Sequence, residues 1–258
     1  MSLAGRLALV TGGGRGIGRA ISLALAEDGA TIAVNYRRDE AAARATVADI
    51  EQAGGRAKMY AASVDDWDQD QAMVAGILAD FGPIDILINN AGIASRGQSV
   101  ADTDPAEMER VVRTHAFGPH YLSKLVLPGM RTRPRGDIIM ISSVAARGLG
   151  PNGAPYNMGK AAMEALAMTL FKEERRYNVR VNVVRPGLTE TEMGARLARA
   201  TQGVQSLREI DKGSPFGRVA RPADVANVVR YLVSDQAFYL TGQTIEGDGG
   251  GMAALPNL

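Results

Sequence analysis

Tyr156 and Lys160 stand at positions i and i+4 of the run Tyr156-Asn157-Met158-Gly159-Lys160. On a helix that spacing places both side chains one turn apart on one face. The residues that follow, Ala161 to Met168, are mostly strong helix formers, so a helix is expected here. A free tyrosine has a pKa of about 10, too high for ready proton exchange near neutrality. An ammonium one turn away favours the phenolate and is expected to lower that value. Tyr156 is then a candidate general acid or base near pH 7, with Lys160 as its partner. Taken alone, Tyr-x-x-x-Lys is equally an exposed pair on an amphipathic helix. Other elements of the chain decide between the two.

The second constellation is a glycine turn. Leu7-Ala8-Leu9-Val10 is a short apolar run of the buried parallel-strand kind, and it ends in Thr11-Gly12-Gly13-Gly14-Arg15-Gly16-Ile17-Gly18. A helical pattern follows, to Asp28-Gly29. Strand, glycine-rich turn and helix form the context in which a dinucleotide pyrophosphate is held by backbone N–H groups and the helix dipole. The next strand, Thr31 to Asn35, runs into Tyr36-Arg37-Arg38, where NAD-binding sites usually carry a carboxylate for the ribose hydroxyls. Arg15 and Arg37 suit a 2′-phosphate that a carboxylate would repel, so NADP(H) is expected over NAD(H).

The elements that must position these groups can be followed in order. Helices are expected at about 40–52, 68–80, 104–130, 156–177 and 221–234. Met73, Ile77 and Leu78 form the buried stripe of the second, and Pro119 should kink or unwind the third. Strands are expected at about 57–62, 84–88, 137–141, 179–184 and 242–246. The 84–88 strand ends in Asn89-Asn90-Ala91-Gly92, a setting for a flat ligand or only a turn. Mixed periodicity over about 190–215 predicts a mobile lid. Arg131, Arg133 and Arg135 read as a solvated rim, with docking of a carrier protein left open. Strands alternating with helices imply an α/β fold, a doubly wound parallel sheet covered on both faces. No linker or repeat divides residues 1–258, so one domain is expected.

Composition removes several classes. The chain has 258 residues, 46% of them hydrophobic, enough for a full core, and a net charge of +1 that argues neither for nucleic acid nor for an acidic membrane surface. It has no cysteine, which excludes disulfides, thiolate catalysis and thiolate metal sites. With only two histidines, His115 and His120, no metal site is expected. No long apolar segment and no leader-like start are found, so the expected location is cytoplasmic.

Together these residues resemble the short-chain dehydrogenase/reductase family over nearly the whole chain. The resemblance rests on Thr11-Gly12-x-x-x-Gly16-Ile17-Gly18, Asn89-Asn90-Ala91-Gly92, Ser143, Tyr156-x-x-x-Lys160, Pro186-Gly187 and Thr241-Gly242. It is nearest to 3-oxoacyl-[acyl-carrier-protein] reductase-like and glucose dehydrogenase-like members. The resemblance implies a seven-stranded Rossmann-type sheet and hydride transfer between NADP(H) and a carbonyl or secondary alcohol, with a 3-oxoacyl thioester among the candidate substrates. Tyr156 would exchange the proton, and Ser143 would orient the substrate oxygen. Lys160 would lower the Tyr156 pKa and bind the nicotinamide ribose. Gly12, Ile17, Asn90, Ala91 and Gly92 would line the dinucleotide, with Ser63 and Val64 at the adenine. Pro186, Gly187, Thr189 and Thr191 would hold the carboxamide and phosphates. Two positions depart from the family pattern. His115 takes the place of an asparagine that helps hold a proton-relay water, and Ser63 replaces an aspartate, with Asp65 as a possible substitute. The family also implies a homotetramer, packed through the helix near 105–130, the Tyr156 helix and the apolar run Met252 to Pro256. The alternatives are an NAD-dependent sugar or polyol dehydrogenase and a non-catalytic dinucleotide-binding sensor.

Overall fold

The structure, a computed structural model, describes residues 2–251. The apolar run Met252 to Pro256, expected at a subunit contact, lies outside the described residues. The first half of the chain forms β1 (Leu7–Val10), α1 (Gly16–Glu27), β2 (Thr31–Tyr36), α2 (Glu40–Gln52), β3 (Arg56–Ala61), α3 (Trp67–Phe81) and β4 (Ile86–Asn89). Then come α4 (Pro105–Val112), a π-helical turn (Arg113–Phe117), α5 (Gly118–Met130), β5 (Gly136–Ile141), α6 (Ala145–Gly148) and α7 (Ala154–Glu174). The chain continues through β6 (Val179–Pro186), α8 (Glu192–Gln202), α9 (Pro222–Leu232) and β7 (Thr244–Gly247).

The seven strands pair in parallel in the order β3-β2-β1-β4-β5-β6-β7. The central strands β1 and β4 carry the unbroken apolar runs Leu7–Val10 and Ile86–Ile88 because both of their faces are covered. Leu7 and Leu9 of β1 face a core built with α3, α5 and α7, while Ala8 and Val10 face the core built with α1, α2 and α9. β1 lies between β2 and β4, so the strand order reverses there, and the crevice at the carboxyl ends of β1 and β4 is where open α/β sheets bind ligands.

The amino ends of the strands are closed by ion pairs. Asp137 accepts from Arg6 at 2.8 Å, Arg180 at 2.7 Å and Arg135 at 3.3 Å. Asp85 takes the Leu7 N–H at 2.8 Å and Arg133 Nε at 2.7 Å, and Arg131 forks onto Glu174. The arginine cluster is therefore more than a solvated rim: each guanidinium pairs with a buried carboxylate, Arg131 and Arg133 while 39% and 35% exposed.

One further expectation changes, in α3, and another is met. The helix near 105–130 is unwound locally close to Pro119, as expected. It takes one wide π turn just ahead of Gly118-Pro119, which spares a proline that has no N–H to give. The buried stripe of α3 is Asp70, Met73, Val74 and Ile77, and Leu78 is 42% exposed. Residues 190–215, expected as a lid, hold the helix α8 and short 3₁₀ turns, and their Ala198 and Leu207 join Val219 in a separate small cluster. Their mixed periodicity reflects packing on that cluster instead of the main core.

Candidate active site

Four elements bring the predicted groups to one end of β4, β5 and β6. Ser143 follows β5, Tyr156 and Lys160 lie in the first two turns of α7, and His115 sits inside the π turn. Ser143 hydrogen-bonds the Tyr156 phenol, and its Oγ also accepts the Ala145 N–H at 3.2 Å. Lys160 is buried, its Nζ 5.7 Å from the Tyr156 ring centroid, and it donates to the Ile141 carbonyl at 2.7 Å. The His115 ring meets the Tyr156 ring edge to face at 5.1 Å.

The electrostatics correct one expectation. The Tyr156 phenol is raised above its ordinary value by burial, and the Ser143 hydrogen bond works only partly against this. Lys160 is not among the causes that lower it. Burial brings the lysine down to about 7, with the Glu164 carboxylate opposing. His115 is brought to about 3 by burial and by Lys160, against the Ile93 bond, so it is neutral at physiological pH. Its Nε2 lies 2.8 Å from the Ile93 carbonyl and 3.3 Å from the Ile93 N–H, and its buried Nδ1 has no partner among the described residues. A histidine in this state can accept a hydrogen bond but does not carry a proton near pH 7.

The glycine turn fits a dinucleotide cradle. Gly12 and Gly16 have positive φ, and a Cβ on Gly18 would stand 2.2 Å from the Gly12 carbonyl oxygen, so the chain can approach this closely only without side chains. No side chain caps the first turn of α1, whose N–H groups point out of the crevice floor. Ile17 is half-buried beside it. The Asn90 side chain is committed to the turn, donating to the Thr11 carbonyl at 2.8 Å, and the Asn90 and Ala91 N–H groups bond Thr11 Oγ1. Asn90 therefore shapes the cradle from behind. Gly92 admits the His115 ring, since a Cβ there would meet His115 Cε1 at 2.7 Å.

Around the rim, Tyr36 ends β2 and Arg37 is exposed beyond it. Arg15 is not free: it meets Glu192 at 3.2 Å and Asp39 at 3.9 Å. The Ser63 hydroxyl donates to the Asp65 carboxylate, so those two polar groups share one place at the end of β3. Val64 is buried against Gly118. The Gly187 N–H donates to the Gly247 carbonyl at 3.2 Å, and Pro186 accepts from Val144 at 3.1 Å. The Thr189 hydroxyl bonds the Gly187 carbonyl, and Thr191 caps α8. Both threonines thus shape the β6–α8 loop above the glycine turn, with the Thr191 methyl against Gly16.

Residues 12–251 match the family model described as "Enoyl-(Acyl carrier protein) reductase". The chain is 36% identical to the 3-oxoacyl-[acyl-carrier-protein] reductase FabG of Staphylococcus aureus, over 94% of this chain and 96% of that protein. The chain belongs to the short-chain dehydrogenase/reductase family. Among solved structures it resembles the angucycline C-6 ketoreductase LanV with bound NADP, at TM-score 0.88 and 33% identity over 98% of both chains. It also resembles a gluconate 5-dehydrogenase from Burkholderia cenocepacia in complex with NADP and tartrate, at TM-score 0.89 and 31% identity over 98% of both chains. Such short-chain dehydrogenase/reductases are oxidoreductases of nicotinamide dinucleotides. Among the described residues no acidic and histidine cluster could hold a metal, and no helix is long and apolar enough to cross a membrane.

One feature of this site escaped the sequence reading. Glu164 continues the Tyr156–Lys160 ladder by one more turn and forks onto Arg185, with Nε at 2.8 Å and Nη2 at 2.5 Å. The i, i+4, i+8 spacing of Tyr156, Lys160 and Glu164 carried the signal. The arginine partner could not be found without the fold.

Proposed function

We propose that this protein is an NADP(H)-dependent carbonyl reductase or secondary alcohol dehydrogenase. The observation that carries the reading is the joined Ser143–Tyr156–Lys160 set, packed beside a glycine turn that leaves the start of α1 without a side-chain cap. The dinucleotide, when bound, supplies or accepts the hydride. The glycine turn at Gly12, Gly16 and Gly18 would hold its pyrophosphate, and the Pro186–Thr191 loop its nicotinamide end. Ser143 would hold the substrate oxygen by a hydrogen bond. Tyr156 would donate the proton to that oxygen in reduction and remove it in oxidation. Lys160, which must be protonated to help, would favour the phenolate and bind the nicotinamide ribose. His115, neutral and wedged between Gly92 and Tyr156, would keep the phenol in place. A 3-oxoacyl thioester is the substrate class that the FabG relatives make the first to try.

The test is a panel of acetoacetyl-CoA, cyclic ketones, sugars and secondary alcohols, read by nicotinamide absorbance with each cofactor. NADPH-linked reduction of a carbonyl is expected. Binding of dinucleotide without turnover of any member would favour the sensor. NADH-linked turnover of a polyol alone would favour the second reading, an NAD-dependent dehydrogenase. That second reading has one observation behind it: Asp39 and Glu192 compete for Arg15, one of the two arginines assigned to the 2′-phosphate.

Arg37 then decides the cofactor, being exposed and, among the described residues, free of any ion pair. Replacing it with Asp should weaken NADPH binding by about 1.5–3 kcal/mol, the scale of a charge-assisted hydrogen bond, and NADH binding by less. Titration of both cofactors against both proteins checks this. Equal affinity of the unmutated protein for the two cofactors would count against the assignment.

A homotetramer forms part of the same reading. Phe117 of the π turn is 45% exposed, and α7 presents an exposed row of Met158, Ala161, Ala162 and Ala165. Small residues at this spacing let a copy of the helix approach closely. Light scattering at micromolar concentration should give four times the 27.3 kDa chain mass. A single monomer-sized species would refute it.

A further inference from the structure

We infer that Glu164 and Arg185 form a positioning pair that holds the serine strand end, the lysine helix and the nicotinamide loop in one register. The inference rests on the reading of Tyr156 and Lys160 as the proton-transfer pair.

Each arm of the pair ends next to a group of the site. Glu164 Oε1 accepts the Ser142 hydroxyl at 2.5 Å, one residue before Ser143. Glu164 itself lies one turn after Lys160 on α7. Arg185 immediately precedes Pro186-Gly187. Its free arm reaches Glu246 of β7 at 3.4 Å, and Arg147 of α6 closes the far side on Glu246 at 3.0 Å. One carboxylate and one guanidinium thus tie β5, α7, β6 and β7 together directly below the reacting groups. The Glu164 and Arg185 side chains are only 12% and 20% exposed. A desolvated ion pair adds little net stability over an apolar pair of the same shape, so its contribution here lies in geometry. A misplacement of about 1 Å in such a set can cost about 10²-fold in rate.

The charge of Glu164 has a second effect. Lys160 is faced by Tyr156 and Glu164 from its own helix, by His115 from the π turn and by the Ile141 carbonyl from β5. Glu164 is the one anion in that set. It opposes the burial that brings Lys160 down to about 7. Arg185, Glu246 and Arg147 lie beyond it in alternating sign.

The experiment compares Glu164→Gln, Glu164→Asp and Ser142→Ala with the unmutated enzyme, on a substrate taken from the panel above. Glu164→Gln is expected to fold, to lower kcat by about 10-fold or more with a smaller change in KM, and to move the alkaline limb of the kcat profile down by about one pH unit. Glu164→Asp should return the limb and part of the rate. Ser142→Ala, which keeps the ion pair, should lower kcat about 3-fold or more with no shift of the limb, and it carries the test if Glu164→Gln does not fold. A kcat within twofold of the unmutated enzyme and an unmoved limb in Glu164→Gln would overturn the inference. So would an unchanged kcat in Ser142→Ala where that variant carries the test. If the unmutated protein turns over nothing in the panel, the functional reading has failed. The pair is then judged by titrating the Lys160 signal in ε-¹³C-lysine-labelled protein, assigned with Lys160→Arg. A midpoint lower in Glu164→Gln supports the pair, and an equal midpoint overturns it.

Discussion

Tyr156→Phe should bind NADPH as the unmutated protein does and lose at least the roughly 10²–10⁴-fold in turnover typical of a missing general acid. The substitution keeps the ring and its edge-to-face contact with His115, and removes the hydroxyl that meets Ser143. Cofactor contacts assigned to the glycine turn, Arg37 and Lys160 are untouched. Fluorescence titration of NADPH and steady-state rates separate the two effects. The pH dependence follows from the site. Burial raises the phenol, so a useful phenolate depends on a charged Lys160, and that lysine loses its proton near pH 7 in the cofactor-free protein. Lys160→Ala should therefore impair binding and turnover together, whereas Tyr156→Phe impairs only turnover. Full activity of Tyr156→Phe on a substrate that the unmutated protein reduces would end the mechanistic reading, whatever the fold.

The contrast between Tyr156 and its surroundings shows what a sequence can carry. The seven-strand order follows from local signals: unbroken apolar runs such as Leu7–Val10, glycine stops, and helices between parallel strands. The site residues were legible because their spacing is local, as in Tyr156 to Lys160, or because they end strands, as Ser143 and Asn90 do. What sequence could not show is mostly long-range pairing. Arg131, Arg133 and Arg135 look like surface charge until Glu174, Asp85 and Asp137 are brought beneath them. Arg15 looks like a phosphate ligand until the start of α8 places Glu192 beside it. The phenol pKa was misjudged for a related reason. Helical spacing supplies the ammonium, but burial depends on the whole fold, and here it raises the phenol against the Ser143 hydrogen bond. His115 stands where the family pattern has an asparagine of the proton relay, and desolvation keeps it neutral.

Asp70 is the place where sequence pattern and fold conflict most. It occupies an apolar position of α3, in line with Met73, Val74 and Ile77, and is fully buried. Neither carboxylate oxygen has a hydrogen-bond partner among the described residues, and Asp65 and Asp66 lie near enough to repel its charge. Burial first, and these two carboxylates second, push its pKa from 3.8 up to about 8. The native state thus holds a proton that the unfolded chain releases above about pH 4. A group whose folded pKa is raised contributes its stability fully below the unfolded value and loses it as pH rises through the folded value. Stability should accordingly fall between pH 4 and pH 8 by about 3–5 kcal/mol on account of this one residue. Asp70→Asn has the same shape and no proton to lose. At pH 8 it should be more stable than the unmutated protein by about that amount, and at pH 5 the difference should shrink to about 1.5–2 kcal/mol. Urea unfolding at the two pH values measures it. The same pH dependence in both proteins would show that Asp70 ionises in the native state without cost, and that the α3 stripe tolerates a charge.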